Sequence, residues 1–169
     1  MVLHTIELGE VYPRSCKTVK WEFWPLEERR RDYMQALLDN DISERYFADS
    51  HLSTEEAAES TAELLRCYPH VTALFCYNDI TAVAAMQAAR AAGRRLPGDL
   101  SIIGFDNIDI AEHLVPALTT MHVDKAGLGR LAVQLLINRA EFPDAGCVTA
   151  VLRPTLVERQ SVRPIVAAG

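Results

Sequence analysis

Positive charge is in short supply in this chain. Its 169 residues carry 17 Lys and Arg against 23 Asp and Glu, a formal net charge of −6. An acidic balance gives no electrostatic footprint for nucleic acid. The one basic cluster, Arg29-Arg30-Arg31, follows Glu27-Glu28 directly and reads by default as a solvated helix face. The four cysteines, Cys16, Cys67, Cys76 and Cys147, have no CxxC or CxxH spacing, which excludes a zinc ribbon and points to reduced thiols. No apolar run reaches membrane-spanning length, and the N-terminal residues 1–10 carry acids where a secretion signal needs an apolar core, so a cytoplasmic location is expected. Internal repeats and low-complexity segments are absent too.

Catalytic chemistry is equally sparse. His4, His70, His113 and His122 are scattered with no second ligand at zinc spacing. Gly127-Leu-Gly129 lacks the preceding strand and the Lys-Ser/Thr of a phosphate loop. Asp99 and Asp106 flank one strand and cannot act as an acid–base pair, and no Ser-His-Asp or Cys-His constellation stands out. No enzyme, no metal and no cofactor are therefore expected.

What is present is concentrated between Thr72 and Asp106. Two apolar strands end in the polar pairs Asn78-Asp79 and Asp106-Asn107, separated by an Ala-rich helix and a Gly-containing turn. That is a βαβ unit, and in an open parallel sheet ligands bind at the carboxyl ends of the strands. Two polar pairs placed there suggest a pocket for a small polar molecule, the mark of a sensor or binder.

The rest of the chain is read from periodicity and caps. Residues 1–9 fit the end of a helix stopped by Gly9, and 10–25 fit neither helical nor strand period. Leu26, Tyr33, Met34, Leu37 and Leu38 form a helical stripe ending near Asn40. Tyr46-Phe47-Ala48 reads as a short strand, and Ser53-Thr-Glu-Glu56 as a capping box opening a helix to about Tyr68 that buries Ala57, Ala58, Thr61, Leu64 and Leu65. A strand is expected over 71–76, a helix over 80–92 ended by Gly93, and a strand over 100–105. A helical turn over 108–114 and a strand over 118–123 follow, then a helix over 124–140 with Asp124 as N-cap, a last strand over 148–152 and a loose tail from Glu158. Alternating strands and helices with short polar connections predict an α/β domain with a mainly parallel sheet flanked by helices.

At Ala73-Leu-Phe-Cys-Tyr-Asn-Asp79, Leu96-Pro-Gly-Asp-Leu-Ser-Ile-Ile-Gly-Phe-Asp-Asn107 and Pro116-Ala-Leu-Thr-Thr120, the sequence resembles the LacI/GalR family of bacterial transcriptional regulators. The resemblance continues through Gly127-x-Gly-x-x-Ala132 to Arg153-Pro154 and Leu156-Val-Glu-Arg159, covering about residues 26–162, with the purine-repressor branch among the nearer matches. It implies a two-lobed, periplasmic-binding-protein-like sensor of a small effector, commonly a sugar or nucleobase. It also implies dimers or tetramers that reach operator DNA through an N-terminal helix-turn-helix. No helix-turn-helix is recognisable here, and most of the first lobe has no counterpart, so a truncated frame or an internal start is expected. On this reading 1–25 is an irregular start of the second lobe and 26–160 its effector-binding domain, with 116–142 a crossover segment belonging to the first lobe. An apolar strand and helix without that lobe should be exposed and invite pairing with another copy, giving a dimer that buries them reciprocally or an aggregation-prone monomer. The helix over 80–90 and the region 110–114 resemble the family's subunit interface.

The same resemblance implies the site residues. Asp106 matches the effector's hydroxyl or ring-nitrogen ligand, a role suited to a carboxylate that accepts several hydrogen bonds; its alternative is an N-cap of the turn over 108–114. Asn78 matches the other strand-end ligand, with N-capping of the following helix as its alternative. Arg29 matches an arginine that reaches into the cleft, against the solvated charge run. His51 or Leu52 falls where the family places a stacking aromatic, unless that stretch is a plain loop. A weak stacking platform favours sugars over aromatic effectors. A solute-binding protein of a transport system and a non-functional gene fragment are the competing readings.

Overall fold

The structure is a computed structural model that describes residues 24–42, 46–48 and 53–164. Its elements run α1 (Trp24–Asp39), α2 (Thr54–Cys67), β1 (Ala73–Phe75), α3 (Asp79–Ala91), β2 (Ser101–Asp106), α4 (Ile110–His113), β3 (Thr119–His122), α5 (Lys125–Glu141) and β4 (Thr155–Val157). They form one four-stranded sheet in the order β1-β2-β3-β4, with β1, β2 and β3 parallel and β4 antiparallel on the far edge. The expected α/β class and mainly parallel sheet are what the chain adopts.

Local chemistry sets the boundaries. The Ser53 hydroxyl accepts from the Glu56 amide at 3.2 Å and starts α2. The return half of the expected capping box differs: the Glu55 carboxylate takes the hydroxyls of Ser53 and Thr54, each at 3.1 Å. At the other end of the βαβ unit α3 closes with a Schellman motif. Gly93 at φ +76° donates to Arg90 O and Arg94 donates to Ala89 O, each at 2.9 Å.

The strand period of two sorts side chains between the faces. Ala73 packs with the buried Leu37 of α1, and Phe75 stacks on Tyr33 at 5.3 Å, whereas Leu74 faces the main core. That core joins Leu64 and Leu65 of α2 to Ala82, Ala85, Met86 and Ala89 of α3, over Ile102 and Leu118 of the sheet. In α2, Ala57, Thr61, Leu64 and Leu65 are buried as expected and Ala58 half so. In α1, Leu38 is 53% exposed and leaves the expected stripe.

Four further expectations are corrected. Tyr46–Ala48 is not a strand: side chains fix it, Tyr46 packing on Tyr68 at 3.9 Å between centroids and its hydroxyl meeting His70 Nε2 at 2.6 Å. Residues 148–152 are exposed and form no strand, because the free edge of β3 is taken by Thr155–Val157. The tail from Glu158 is not loose. Ser161 is fully buried, its hydroxyl donating to Ile102 O at 2.6 Å and accepting from the Thr119 amide at 2.8 Å. Nor is the strand over 118–123 stranded without a sheet, since β3 pairs with β2 from Ile103↔Thr119 to Asp106↔His122.

The helix after it behaves as expected. Asp124 accepts from the Gly127 amide at 2.7 Å to cap α5, yet none of the 17 residues of α5 is buried. Leu128, Val133, Leu136 and Ile137 stand between 46% and 70% exposed.

Candidate ligand site at the strand ends

The carboxyl ends of β1, β2 and β3 form one rim, and its centre is the turn Asp106-Asn107-Ile108. Asp106 has φ +102° and Asn107 φ +49°, conformations that non-glycine residues adopt at a cost when the surroundings enforce them. Three elements do so here. From α5, the Lys125 ammonium donates to the Asp106 carbonyl. From the start of α3, the Asp79 carboxyl accepts from the Ile108 amide at 2.9 Å and from the Thr120 hydroxyl at 2.5 Å. From the tail, Arg159 Nη2 donates to Asn107 Oδ1 at 2.9 Å.

Asp106 itself is half-buried, and its carboxylate has no hydrogen-bond partner among the described residues. It does not cap α4, which begins at Ile110 with Asp109 at the cap position and no side-chain cap bond. The N-cap alternative for Asp106 is thus removed, leaving a carboxylate on the rim with its acceptor capacity unspent.

Asn78 goes the other way. Its Oδ1 accepts from the Thr81 amide at 2.8 Å while the Thr81 hydroxyl faces the Asn78 amide at 3.2 Å, a complete capping box. The cap alternative is realised, and with the oxygen occupied only the amide NH2 can serve a ligand. The neighbouring Asp79 instead is fully buried beneath the turn.

Arg29 separates from its charge run. Arg30, Arg31 and Asp32 are exposed, but Arg29 is half-buried and Nη1 donates to the Tyr77 carbonyl at 2.6 Å. Its guanidinium lies over the rings of Phe105 at 3.8 Å and Tyr77 at 4.5 Å. Tyr77 precedes Asn78 and Phe105 precedes Asp106, so Arg29, Asn78 and Asp106 share one rim. His51 and Leu52 lie outside the described residues.

A cavity of about 230 Å³ opens beside the rim, lined among others by Arg29, Tyr33, Phe47, Cys76 and Tyr77, and neither Asp106 nor Asn78 reaches it. Burial pushes the Cys76 thiol up to about 12, and the charge of Asp79 adds to the effect. The exposed Cys67 is also raised, because its thiol donates to Glu63. Iodoacetamide at pH 8 is expected to alkylate the exposed Cys147 first, Cys67 more slowly and Cys76 only after denaturation. Peptide mass spectrometry reads that order, and native labelling of Cys76 at the rate of Cys147 would contradict the packing of β1.

Gly104 was the missed signal. A Cβ built there would stand 2.2 Å from Asp79 Oδ1 and 3.0 Å from Leu118 Cδ2. A glycine inside the apolar run Ser101–Phe105 marks such a close approach, here that of the buried Asp79. The role of Arg159 had no such signal, because its partners lie 41 and 52 residues away in sequence. No group of His, Cys, Asp and Glu suited to a metal occurs among the described residues.

Comparison with known proteins places this geometry. A family model described as a periplasmic binding protein-like domain matches residues 18–162. The ribose operon repressor of Haemophilus influenzae is 38% identical over 138 residues, 80% of this chain and 42% of that protein. The HTH-type transcriptional repressor PurR of Photobacterium profundum is 34% identical over 140 residues, 82% of this chain and 42% of its own length. A LacI family transcriptional regulator from Enterococcus faecium, solved with bound ribose, superposes with a TM-score of 0.76 at 30% identity over 83% of this chain and 52% of that one. This chain thus spans about half the length of these relatives, which are repressors and regulators, not enzymes. The chain belongs to the periplasmic binding protein-like family, and within it resembles LacI-type transcriptional regulators.

Proposed function

We propose that this chain is the effector-sensing part of a LacI-type repressor, in which residues 26–160 form the effector-binding second lobe and 116–142 a crossover segment belonging to the first lobe. Asp106 is the observation that carries the reading. It is a carboxylate held at a strand end by three elements and left without a hydrogen-bond partner among the described residues, as a polyhydroxyl ligand requires. The Asn78 amide group and the free part of the Arg29 fork supply donors beside it. One face each of Phe105 and Tyr77 already carries Arg29, which reduces the aromatic surface left for a flat base and favours a sugar over a nucleobase. Effector would close the cleft and shift the lobe equilibrium, and so the spacing of DNA-binding heads. Operator DNA would be contacted by a helix-turn-helix and not by the rim. The activity proposed is binding without turnover, in the cytoplasm; no helix among the described residues is long and apolar enough to cross a membrane.

Equilibrium dialysis of radiolabelled D-ribose and adenine at millimolar concentration tests the reading. Retention of ribose in excess of adenine is expected, and retention of neither would overturn it.

Self-association belongs to the same proposal. The apolar face of α5, with Leu136 at 70% and Val133 at 57% exposure, is suited to reciprocal burial in a homodimer. Light scattering at about 100 µM is expected to give twice the chain mass, and Leu136→Glu to return it to the monomer. A monodisperse monomer before substitution would count against the dimer.

A further inference from the structure

The tail Glu158–Arg163 forms no helix or strand, yet it is bonded into the sheet along its length. Gln160 exchanges hydrogen bonds with Ala117, its amide donating to Ala117 O at 3.0 Å and its Oε1 accepting from the Ala117 amide at 3.1 Å. Ser161 joins Ile102 to Thr119, and the Arg163 amide reaches the Ser101 hydroxyl at 3.2 Å. These contacts hold β2 and β3 together at the end remote from the rim. Arg159 bonds to the same end of β3 and, in addition, reaches the rim. Its Nη1 donates to Leu118 O at 2.8 Å and its amide to Thr119 Oγ1 at 2.9 Å, while Nη2 reaches Asn107 Oδ1 at 2.9 Å.

A guanidinium only donates, so the Asn107 atom facing it is the oxygen and the other end of that amide is its NH2 group. Asn107 Nδ2 lies 3.2 Å from His122 Nδ1, which must therefore accept. The chain Arg159→Asn107→His122 thus has one polarity. It assigns Nδ1 of His122 as the acceptor and locks the side chain of Asn107, the second residue of the left-handed turn.

We propose that Arg159 is a positioning residue of the effector site, acting through Asn107 to hold the half-buried Asp106 carboxylate at the rim in the attitude that leaves it unpaired among the described residues. The inference rests on the sensing role proposed for Asp106 and adds the tail to the site. Arg159 does not touch the effector. It removes the freedom of the turn that would otherwise be lost on binding, and so raises affinity by preorganisation.

Isothermal titration with D-ribose on the full chain tests this with four variants. Arg159→Gln and Asn107→Ala are each expected to raise Kd about tenfold, and the double variant by no more than either alone, because both break one link. Asn107→Ala leaves the bonds of Arg159 to Leu118 and Thr119 intact, so it reports even if Arg159→Gln folds poorly. Ser161→Ala on the same tail should lower Tm while leaving Kd within about twofold, which separates positioning from stability. Nitrogen-15 spectra of His122 supply a readout without ligand. Wild type should show an unprotonated Nδ1, and Arg159→Gln a mixture of tautomers. Ribose binding that is unchanged in Arg159→Gln and Asn107→Ala, additive effects, or a protonated Nδ1 in wild type would each overturn the proposal while leaving the sensing role standing. Failure of wild type to bind ribose would overturn the sensing role and this inference with it.

Discussion

Gly104→Ala is expected to lower Tm by roughly 4–24 °C. The new Cβ would occupy a position 2.2 Å from the buried Asp79 Oδ1. Asp79 cannot withdraw without abandoning the Ile108 amide and the Thr120 hydroxyl, both packed beneath the rim. Overpacking costs about 1–3 kcal/mol, an orphaned buried donor about 1–3 more, and each kcal/mol moves a domain of this size by about 2–4 °C. Gly129→Ala is the contrast. Nothing lies within 4 Å of a Cβ at Gly129 in the exposed helix α5, so that change should stabilise by about 0.5–1 kcal/mol through backbone entropy. Calorimetry on the two variants reads opposite signs, and equal signs would show that Gly104 is not the seat of Asp79.

Asp106→Ala carries the largest expected effect on ligand. Its carboxylate is the one rim acceptor with no protein hydrogen bond among the described residues, so its removal costs the effector its charge-assisted contacts and costs the fold little. Hydrogen bonds to a charged group contribute about 1.5–3 kcal/mol, a loss of about 10- to 100-fold in affinity. Asp106→Asn, which keeps one acceptor oxygen, should lose less. Neither should move Tm by more than about 2 °C, as expected of a substitution that leaves no buried group unpaired. A large fall in Tm with unchanged affinity would make Asp106 a structural residue.

The parts of this account that could be read from sequence are those in which chemistry and spacing are local. Ser53, Gly93 and Asp124 sit at the helix ends where their own backbone needs dictate, and the apolar runs around Leu74 and Ile102 lie in the sheet interior. The pairing of two polar dipeptides on one rim followed from the βαβ order alone. Where sequence reasoning failed, competing partners decided. Asn78 and Asp79 can both cap a helix, and the close approach of Asp79 to Gly104 assigned Asn78 to the helix and Asp79 to the core. Residues 148–152 have strand composition, but only one edge of β3 was open and Thr155–Val157 took it. The clamp of Arg159 on Asn107 spans 52 residues and has no local signature.

The central claim is that the turn at Asp106 is a small-ligand site. Titrating isotope-labelled protein with D-ribose, and following the backbone amides by two-dimensional NMR, tests it most directly. Saturable shifts concentrated at Asp106, Asn107, Ile108 and Asn78, and lost in Asp106→Ala, are the predicted result. Shifts confined to the cavity lined by Tyr33, Phe47 and Cys76, or no saturable shift at all, would contradict it.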